Sequence, residues 1–129
     1  MYIDKNIDIL IVDDNKSIRM ILKNILRMLG FKNSYEAEDG SMAFQMMKAY
    51  SYGLVLSDWN MEPITGLQLL KEIRSNVQLQ KTPFIMITAE SGISNLKAAK
   101  AAGVTDYIVK PFDAKIVGNK IISAIKRSQ

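Results

Sequence analysis

Short apolar runs alternate with amphipathic stretches along the chain. The runs are rich in β-branched residues and bounded by turn-forming residues, a pattern typical of buried β-strands. We predict strands at 7–12, 33–37, 54–57, 84–87 and 107–109. The stretches between them repeat apolar residues at helical spacing and predict helices at 16–29, 41–49, 67–74, 93–102 and 114–126.

The first and last helices have the clearest apolar faces. The side chains expected to point inward are Ile18, Ile21, Leu22, Ile25, Leu26 and Leu29 in the first helix, and Ile116, Val117, Ile121 and Ile125 in the last. Gly30 follows the first helix where a glycine in the left-handed conformation commonly ends one.

The order of these elements indicates an α/β fold. Strands that are short and nearly all apolar belong to a parallel sheet covered by helices on both faces, with right-handed crossovers. A chain of 129 residues suits one hydrophobic core. We therefore expect a single domain over 1–129, with no internal repeat, no linker and no second domain.

Polar residues stand where the predicted strands end. Asp13 and Asp14 follow the first strand, Asp58 the third, Thr88 the fourth and Lys110 the fifth. The carboxyl ends of parallel strands share one edge of the sheet, where ligands bind in open α/β folds. Converging carboxylates repel one another, and Mg²⁺ with phosphate oxygens relieves that repulsion. We therefore expect the residues at this edge to form a site for Mg²⁺-dependent phosphoryl chemistry.

Two residue types are absent from the chain, and their absence excludes several kinds of chemistry. Without cysteine there is no disulfide, thiolate metal site or cysteine nucleophile. Without histidine there is no Ser-His-Asp triad and no zinc site with histidine ligands. The chain cannot carry phosphohistidine either, so a phosphohistidine donor must be another protein or domain.

The net charge of +4 makes an acidic partner or nucleic acid worth considering. The lysines are spread along the chain without a basic run, however, so we expect no nucleic-acid binding. The start of the chain lacks the features of a secretory signal, and no apolar stretch reaches the length of a membrane span. We therefore expect a cytoplasmic protein without membrane insertion.

Four segments resemble the receiver domains of two-component response regulators, above all the CheY-like single-domain chemotaxis regulators. They are ILIVDD at 9–14, SDWNM at 57–61, ITAE at 87–90 and YIVKPF at 107–112. The resemblance covers essentially the whole chain, in order and spacing. It implies a flavodoxin-like fold with strand order 2-1-3-4-5 and five helices, an order that the pattern alone does not give.

The resemblance also implies roles for the acidic residues. Asp58 would be the phosphoacceptor. Asp13, Asp14 and Asp58 would hold Mg²⁺ together with the backbone carbonyl of Asn60. Taken alone, the acidic pair would be better explained as a turn or as an N-cap, with Asp14 capping the first helix. Together with Asp58 and Lys110 at strand ends, it favours the functional role. An ionised carboxylate can act as a nucleophile, and phosphoryl transfer needs mainly positioning and charge neutralisation.

The remaining roles concern the fourth and fifth strands. By resemblance, Lys110 would contact the phosphoryl oxygens and Thr88 would bond one of them after transfer. Tyr107 would then swing inward as a switch residue. The Lys110-Pro111 bond resembles the cis peptide of the family. The loop after Asp58 departs from the family pattern at two positions. The family usually has proline four residues after the phosphoacceptor, where this chain has Glu62 followed by Pro63. Thr65 stands where an aspartate is common.

Other classes with a similar fold or nucleophile fit less well. A flavodoxin would have a phosphate loop rich in Ser, Thr and Gly after the first strand, where this chain has acidic residues. A haloacid-dehalogenase-type phosphatase would carry a second aspartate two residues after its nucleophile on the first strand. A DNA-binding regulator would need an output domain after about Ser123.

Two functions therefore remain as alternatives. In both, we expect the chain to catalyse only its own phosphorylation and its slow autodephosphorylation, so it would not be an enzyme acting on other substrates. One is a diffusible signal, phosphorylated by a histidine kinase or phosphotransfer protein, that binds a target such as the flagellar motor. The other is a phosphate sink or relay intermediate. We expect a monomer whose target docks on the surface of helix 4, strand 5 and helix 5. This basic face carries Lys97, Lys100, Lys115 and Lys120.

Overall fold

The computed structural model describes residues 3–128, which form one five-stranded parallel sheet in the order β2-β1-β3-β4-β5. The predicted fold class and strand order are therefore confirmed. The strands are β1 (Ile9–Val12), β2 (Ser34–Ala37), β3 (Leu54–Ser57), β4 (Phe84–Thr88) and β5 (Asp106–Val109). The helices are α1 (Lys16–Met28), α2 (Gly40–Ala49), α3 (Gly66–Ser75), α4 (Ile93–Ala101) and α5 (Ala114–Ser128).

The sheet separates two hydrophobic clusters. Successive side chains of a strand point to opposite faces, so Ile9 and Ile11 pack with α1 and α5, whereas Leu10 and Val12 pack with α2 and α3. This double cover explains why the central strands are almost wholly apolar. None of the helices in the described range has the length and hydropathy that a membrane crossing requires.

Two expected core positions are wrong. Ile21 of α1 is 47% exposed and Ile116 of α5 is 43% exposed. In α1, Arg19 is buried together with Leu22, Ile25 and Leu26. Each helix already covers the sheet with its other apolar residues, so one isoleucine on each remains at the border of the face.

Local sequence sets the helix ends. Asn15 is the N-cap of α1 and accepts hydrogen bonds from the amides of Ser17 and Ile18, so Asp14 is not needed as a cap. Gly30 has φ +96°, as expected for the residue that ends α1 in the left-handed conformation. Thr65 forms a capping box with Gln68 at the start of α3, which accounts for threonine at this position.

Candidate functional site

Three carboxylates meet at the carboxyl edge of the sheet. One oxygen each from Asp13, Asp14 and Asp58 lies within 4.8 Å of the others. Val12 pairs with Ser57 across β1 and β3, so the next residue of each strand, Asp13 and Asp58, emerges side by side. Asp13 and Asp58 are buried, whereas Asp14 is exposed. The predicted convergence of the acidic residues is what the fold produces.

The Asp58 side chain has one occupied and one available oxygen. Its Oδ1 accepts a hydrogen bond of 2.7 Å from the amide of Trp59, which fixes the carboxylate plane. Its backbone amide donates to the Val12 carbonyl at 2.9 Å and continues the β1–β3 ladder. A Cβ on Gly66, the first residue of α3, would overlap the Asp58 carbonyl oxygen. Only glycine at this position therefore allows α3 to begin so close to the Asp58 backbone. The other oxygen, Oδ2, is directed to Lys110.

The ammonium group of Lys110 lies between the two buried carboxylates. Its Nζ atom is 3.3 Å from Oδ2 of Asp13 and 3.5 Å from Oδ2 of Asp58. The Lys110 amide donates to the Thr88 carbonyl at 2.8 Å, so pairing with β4 fixes the lysine backbone. The Lys110–Pro111 bond is cis, as the resemblance implied, and the Glu62–Pro63 bond is cis as well.

The charges of the site are not balanced. Burial raises the pKa of Asp13 above its usual value, although a hydrogen bond from the Asn15 amide and the charge of Lys110 act in the opposite direction. The neighbouring charge of Asp58 adds to the increase. One lysine therefore does not compensate the buried carboxylates, and a further cation at this position would be favourable.

The oxygen donors of the site fit a hard divalent cation such as Mg²⁺. Among residues 3–128, no backbone amide donates to the carbonyl oxygen of Asn60, so this oxygen is available as a ligand. A cavity of about 430 Å³ opens next to them, lined by Asp14, Asn60, Met61, Glu62 and Thr65. Glu62 adds a fourth acidic side chain at its rim.

Arg19 is part of the site, and sequence reasoning missed it. Its guanidinium donates from Nη1 to the Asp13 carbonyl oxygen at 2.7 Å and from Nε to Glu36 Oε1 at 2.9 Å. It thereby ties the backbone of the acidic loop to β2. A signal was present in the sequence, because Arg19 precedes Leu22 by three residues and Leu26 by seven and so shares their buried face.

Glu90 links Thr88 and Tyr107, the two residues that the resemblance couples in a switch. Thr88 is fully buried, and its Oγ1 accepts a hydrogen bond from the Glu90 amide at 3.2 Å. The Tyr107 hydroxyl donates to the Glu90 carbonyl oxygen. Glu90 therefore connects the end of β4 to the ring of Tyr107 through its own backbone, a contact that depends on the loop path and that the sequence did not reveal.

Tyr107 stands partly buried beside the site. Its ring meets that of Trp59 edge to face, with centroids 6.5 Å apart. Burial, with smaller effects of Glu90 and Asp58, raises the pKa of the tyrosine, so its hydroxyl remains a hydrogen-bond donor at neutral pH. The Asn60 side chain donates to Glu90 Oε1 at 3.4 Å across the mouth of the site.

With this geometry in place, comparison with known proteins identifies the class. Residues 9–122 match the response regulator receiver domain, and the chain belongs to that family. It is 45% identical over 125 residues to the chemotaxis protein CheY-3 of Vibrio cholerae, covering 97% of this chain and 96% of that protein. It is 42% identical over 119 residues to the chemotaxis protein CheY of Pseudomonas aeruginosa, covering 92% and 96%.

The fold agrees with a solved structure from the same group. The chemotaxis response regulator CheY4 of Vibrio cholerae superposes with a TM-score of 0.82 at 29% identity, covering 96% of this chain and 99% of that chain. The protein is thus a chemotaxis-type response regulator of two-component signalling and not a classical enzyme. Receivers of this family are phosphorylated on aspartate, take the phosphoryl group from histidine kinases or phosphotransfer proteins, and generally bind Mg²⁺ at an aspartate cluster.

Proposed function

We propose that Asp58 accepts a phosphoryl group from a partner histidine kinase or phosphotransfer protein, and that the phosphorylated protein controls the flagellar motor by binding a target. The observation that carries this proposal is the position of Asp58 Oδ2, which is 3.5 Å from Lys110 Nζ while Oδ1 is held by a backbone amide. One oxygen is thereby oriented and the other left to react.

The transfer itself requires little covalent chemistry from the protein. The Asp58 Oδ2–phosphorus bond forms as the bond between phosphorus and the donor imidazole nitrogen breaks, and the imidazole keeps that electron pair and takes up a proton. Lys110 faces the negative charge of the incoming oxygens. Asp13, Asp14, Asp58 and the carbonyl of Asn60 would hold Mg²⁺, which supplies charge neutralisation on the phosphoryl oxygens. Slow hydrolysis of the acyl-phosphate would be the only other reaction.

A signal would then pass through Thr88 and Tyr107. Once a phosphoryl group is present, the Thr88 hydroxyl can donate to one of its oxygens. Movement of the hydroxyl toward that oxygen would disturb the present arrangement, in which Thr88 Oγ1 accepts from the Glu90 amide and the Glu90 carbonyl accepts from Tyr107. Movement of this short chain of contacts would release the Tyr107 ring to turn inward.

The output surface in this proposal is formed by α4, β5 and α5. Tyr107 lines a cavity of about 390 Å³ on that surface together with Lys100, Asp106 and Lys120. Lys97, Lys100 and Lys115 are exposed there, so a partner with an acidic segment would be attracted. Following the resemblance to CheY-like regulators, we further propose that the protein acts in the cytoplasm as a monomer.

The experiment that tests this function separates a motor signal from a phosphate sink. The purified protein is phosphorylated in Mg²⁺ and offered either a flagellar motor switch protein or a dephosphorylated histidine phosphotransfer protein. Binding to the switch protein only when phosphorylated is the expected result. Rapid loss of the phosphoryl group to the phosphotransfer protein, without binding to the switch protein, would instead support the sink or relay.

A further inference from the structure

A tyrosine-lined cavity lies at the opposite end of the strands from Asp58. Its volume is about 360 Å³, and it is lined by Asp8, Tyr35, Met46, Tyr50 and Tyr52. Asp8 precedes β1 and Tyr52 precedes β3, so the cavity is at the amino ends of the strands, whereas the phosphorylation site is at their carboxyl ends. The cavity therefore takes no part in the phosphoryl chemistry, and we call it the tyrosine cavity.

Aromatic rings form the walls of the tyrosine cavity. Tyr35 and Tyr52 meet at an interplanar angle of 72° with centroids 5.8 Å apart, so the two rings make a corner. Tyr50 supplies a third ring, which is 71% exposed. Rings set at an angle around a concave space are the arrangement that binds organic cations, because the face of each ring carries negative potential.

Several negative groups reinforce that potential. The Asp8 carboxylate borders the cavity, and Tyr50 is the C-cap of α2, so the negative end of that helix points to the same place. The pKa of Tyr52 is raised, first by burial and then by the proximity of Tyr35, Asp8 and Tyr50. The charge of Asp8, which disfavours a negative charge on the Tyr52 hydroxyl, favours a positive charge beside it.

Within the described range, no basic side chain is seen to pair with Asp8 at the tyrosine cavity. No salt bridge found among residues 3–128 involves Asp8. Lys48, the basic residue in the last turn of α2, places its Nζ over the ring of Phe44 at 5.2 Å from the centroid. Phe44 and Lys48 line a different groove, between α2 and α3. A concave, negative, aromatic surface is thus left for a ligand.

We propose that the tyrosine cavity binds an organic ammonium cation. The aromatic rings favour a cation with a weakly hydrated alkyl surface over a small inorganic one, and Asp8 supplies the counter-charge. Two sources share this chemistry: a free alkylammonium compound and the side chain of a lysine on another protein. The site is separate from phosphorylation, so its failure would leave the function proposed above untouched.

The direct test is an NMR titration of the full chain. Tetramethylammonium chloride is added at constant ionic strength, with tert-butanol as a neutral compound of similar shape. We expect saturable shifts of the ring signals of Tyr35, Tyr50 and Tyr52 and of the Met46 methyl signal with the cation only. Equal shifts with tert-butanol would overturn the proposal, as would the absence of a saturable shift with both tetramethylammonium and the lysine compound described below.

Variants of the lining residues then distinguish how the ring faces, the charge and the hydroxyl groups each contribute to cation binding. Asp8→Asn and Tyr35→Leu are each expected to weaken the cation roughly three-fold or more, the scale of one charge or one ring face at a partly exposed site. Tyr52→Phe is the matched control, because it keeps the ring face and removes only the hydroxyl, and we expect binding within about two-fold of wild type. Tyr50→Leu repeats the test at the most exposed ring, where folding is least at risk.

The outcomes of these variants are decisive in both directions. Unchanged binding in Tyr35→Leu and Tyr50→Leu, or lost binding in Tyr52→Phe, would overturn the cation–π account. A parallel titration with Nα-acetyl-lysine amide, which keeps the side-chain ammonium group, distinguishes the sources. Tighter binding of the lysine compound supports a protein partner, tighter binding of tetramethylammonium supports a free alkylated cation, and binding of neither overturns the proposal.

Discussion

The guanidinium group of Arg19 donates a hydrogen bond of 2.7 Å to the backbone carbonyl oxygen of Asp13. The same side chain forms an ion pair with Glu36 on β2 at 2.9 Å. Arg19 is 7% exposed, so a positive charge is held just behind the acidic loop without entering the space between the carboxylates. This contact fixes the backbone from which Asp13 and Asp14 project, and it makes Arg19 a positioning residue for the proposed metal site.

Replacement of Arg19 should therefore affect metal binding as well as stability. We expect Arg19→Met to lose about 1–3 kcal/mol of folding free energy, because the Asp13 carbonyl loses its partner and Glu36 keeps only the more distant Lys23. We also expect Mg²⁺ affinity, followed by Trp59 fluorescence, to fall several-fold, with partial recovery in Arg19→Lys.

The matched variant for this prediction is Glu36→Gln, which removes the ion pair but leaves Arg19 able to reach the Asp13 carbonyl. It should keep Mg²⁺ affinity close to wild type. If Arg19→Met loses stability while binding Mg²⁺ as tightly as wild type, Arg19 has only a structural role.

The raised pKa of Asp13 predicts how stability depends on pH in metal-free protein. The folded state binds the Asp13 proton more tightly than the unfolded state, in which the pKa is near its ordinary value of 3.8. The stability that Asp13 contributes is therefore complete below that value and is lost as pH rises through the raised pKa. Asp13→Asn removes this loss, and we expect a higher Tm than wild type at pH 7 in chelator.

Asp14→Asn serves as the comparison, because it removes a neighbouring charge that is exposed to solvent. Its gain in Tm at pH 7 should be smaller than that of Asp13→Asn, since no burial of the charge is relieved. Both gains should shrink when Mg²⁺ is added, because wild type then gains stability by mass action on the folded state. Equal Tm values for wild type and Asp13→Asn in chelator would contradict the account.

The residues that the sequence predicted to converge have positions set by the sheet. Asp13, Asp58, Thr88 and Lys110 each stand at or just past the end of a parallel strand, so recognising the strands was enough to bring them together. The same reasoning could not find Glu90, because its contacts with Thr88 and Tyr107 depend on the path of the loop after β4.

The helices were less completely predictable for a related reason. Helical periodicity identifies an apolar face but not the few degrees of rotation that decide which border residue is buried. Ile21 and Ile116 therefore remained exposed, whereas Arg19 was buried because Asp13 and Glu36 offered partners for its guanidinium. Partners from other elements decide such positions, and they become visible only when the chain has folded.

Thr88 is expected to transmit phosphorylation without being required for it. Its Oγ1 accepts from the Glu90 amide and is not hydrogen-bonded to Asp58, so Thr88→Ala should still accept a phosphoryl group. The ring signals of Tyr107, followed by NMR, should shift on phosphorylation in wild type and remain unchanged in Thr88→Ala. A shift of wild-type size in the phosphorylated variant would refute the coupling between the two residues.

The basic face should steer an acidic partner to the phosphorylated protein. Lys120 and Arg127 both contact Asp106, at 3.1 and 3.0 Å, so part of the positive charge of this surface is already neutralised. Lys97 and Lys100 on α4 are exposed and are therefore the better pair to reverse. We expect Lys97→Glu with Lys100→Glu to weaken binding to the motor switch protein at low salt by about ten-fold or more.

The matched control for this surface is Lys71→Glu with Lys81→Glu, which changes the net charge equally at exposed positions away from α4 and α5. It should bind nearly as wild type does. If both double variants bind alike, net charge and not the face of α4 determines the association. Labelling of Asp58 should be intact in each variant, which shows that the phosphorylation site has not been disturbed.

The central claim is that Asp58 alone accepts the phosphoryl group in a site that needs a divalent cation. The most direct measurement is intact-mass and peptide mass spectrometry after incubation with acetyl phosphate, with Mg²⁺ or with chelator. We predict a single phosphorylated residue, Asp58, formed with Mg²⁺, and none in chelator or in Asp58→Asn. Equal labelling of Asp58→Asn, or labelling of wild type that is as fast in chelator as in Mg²⁺, would contradict the account.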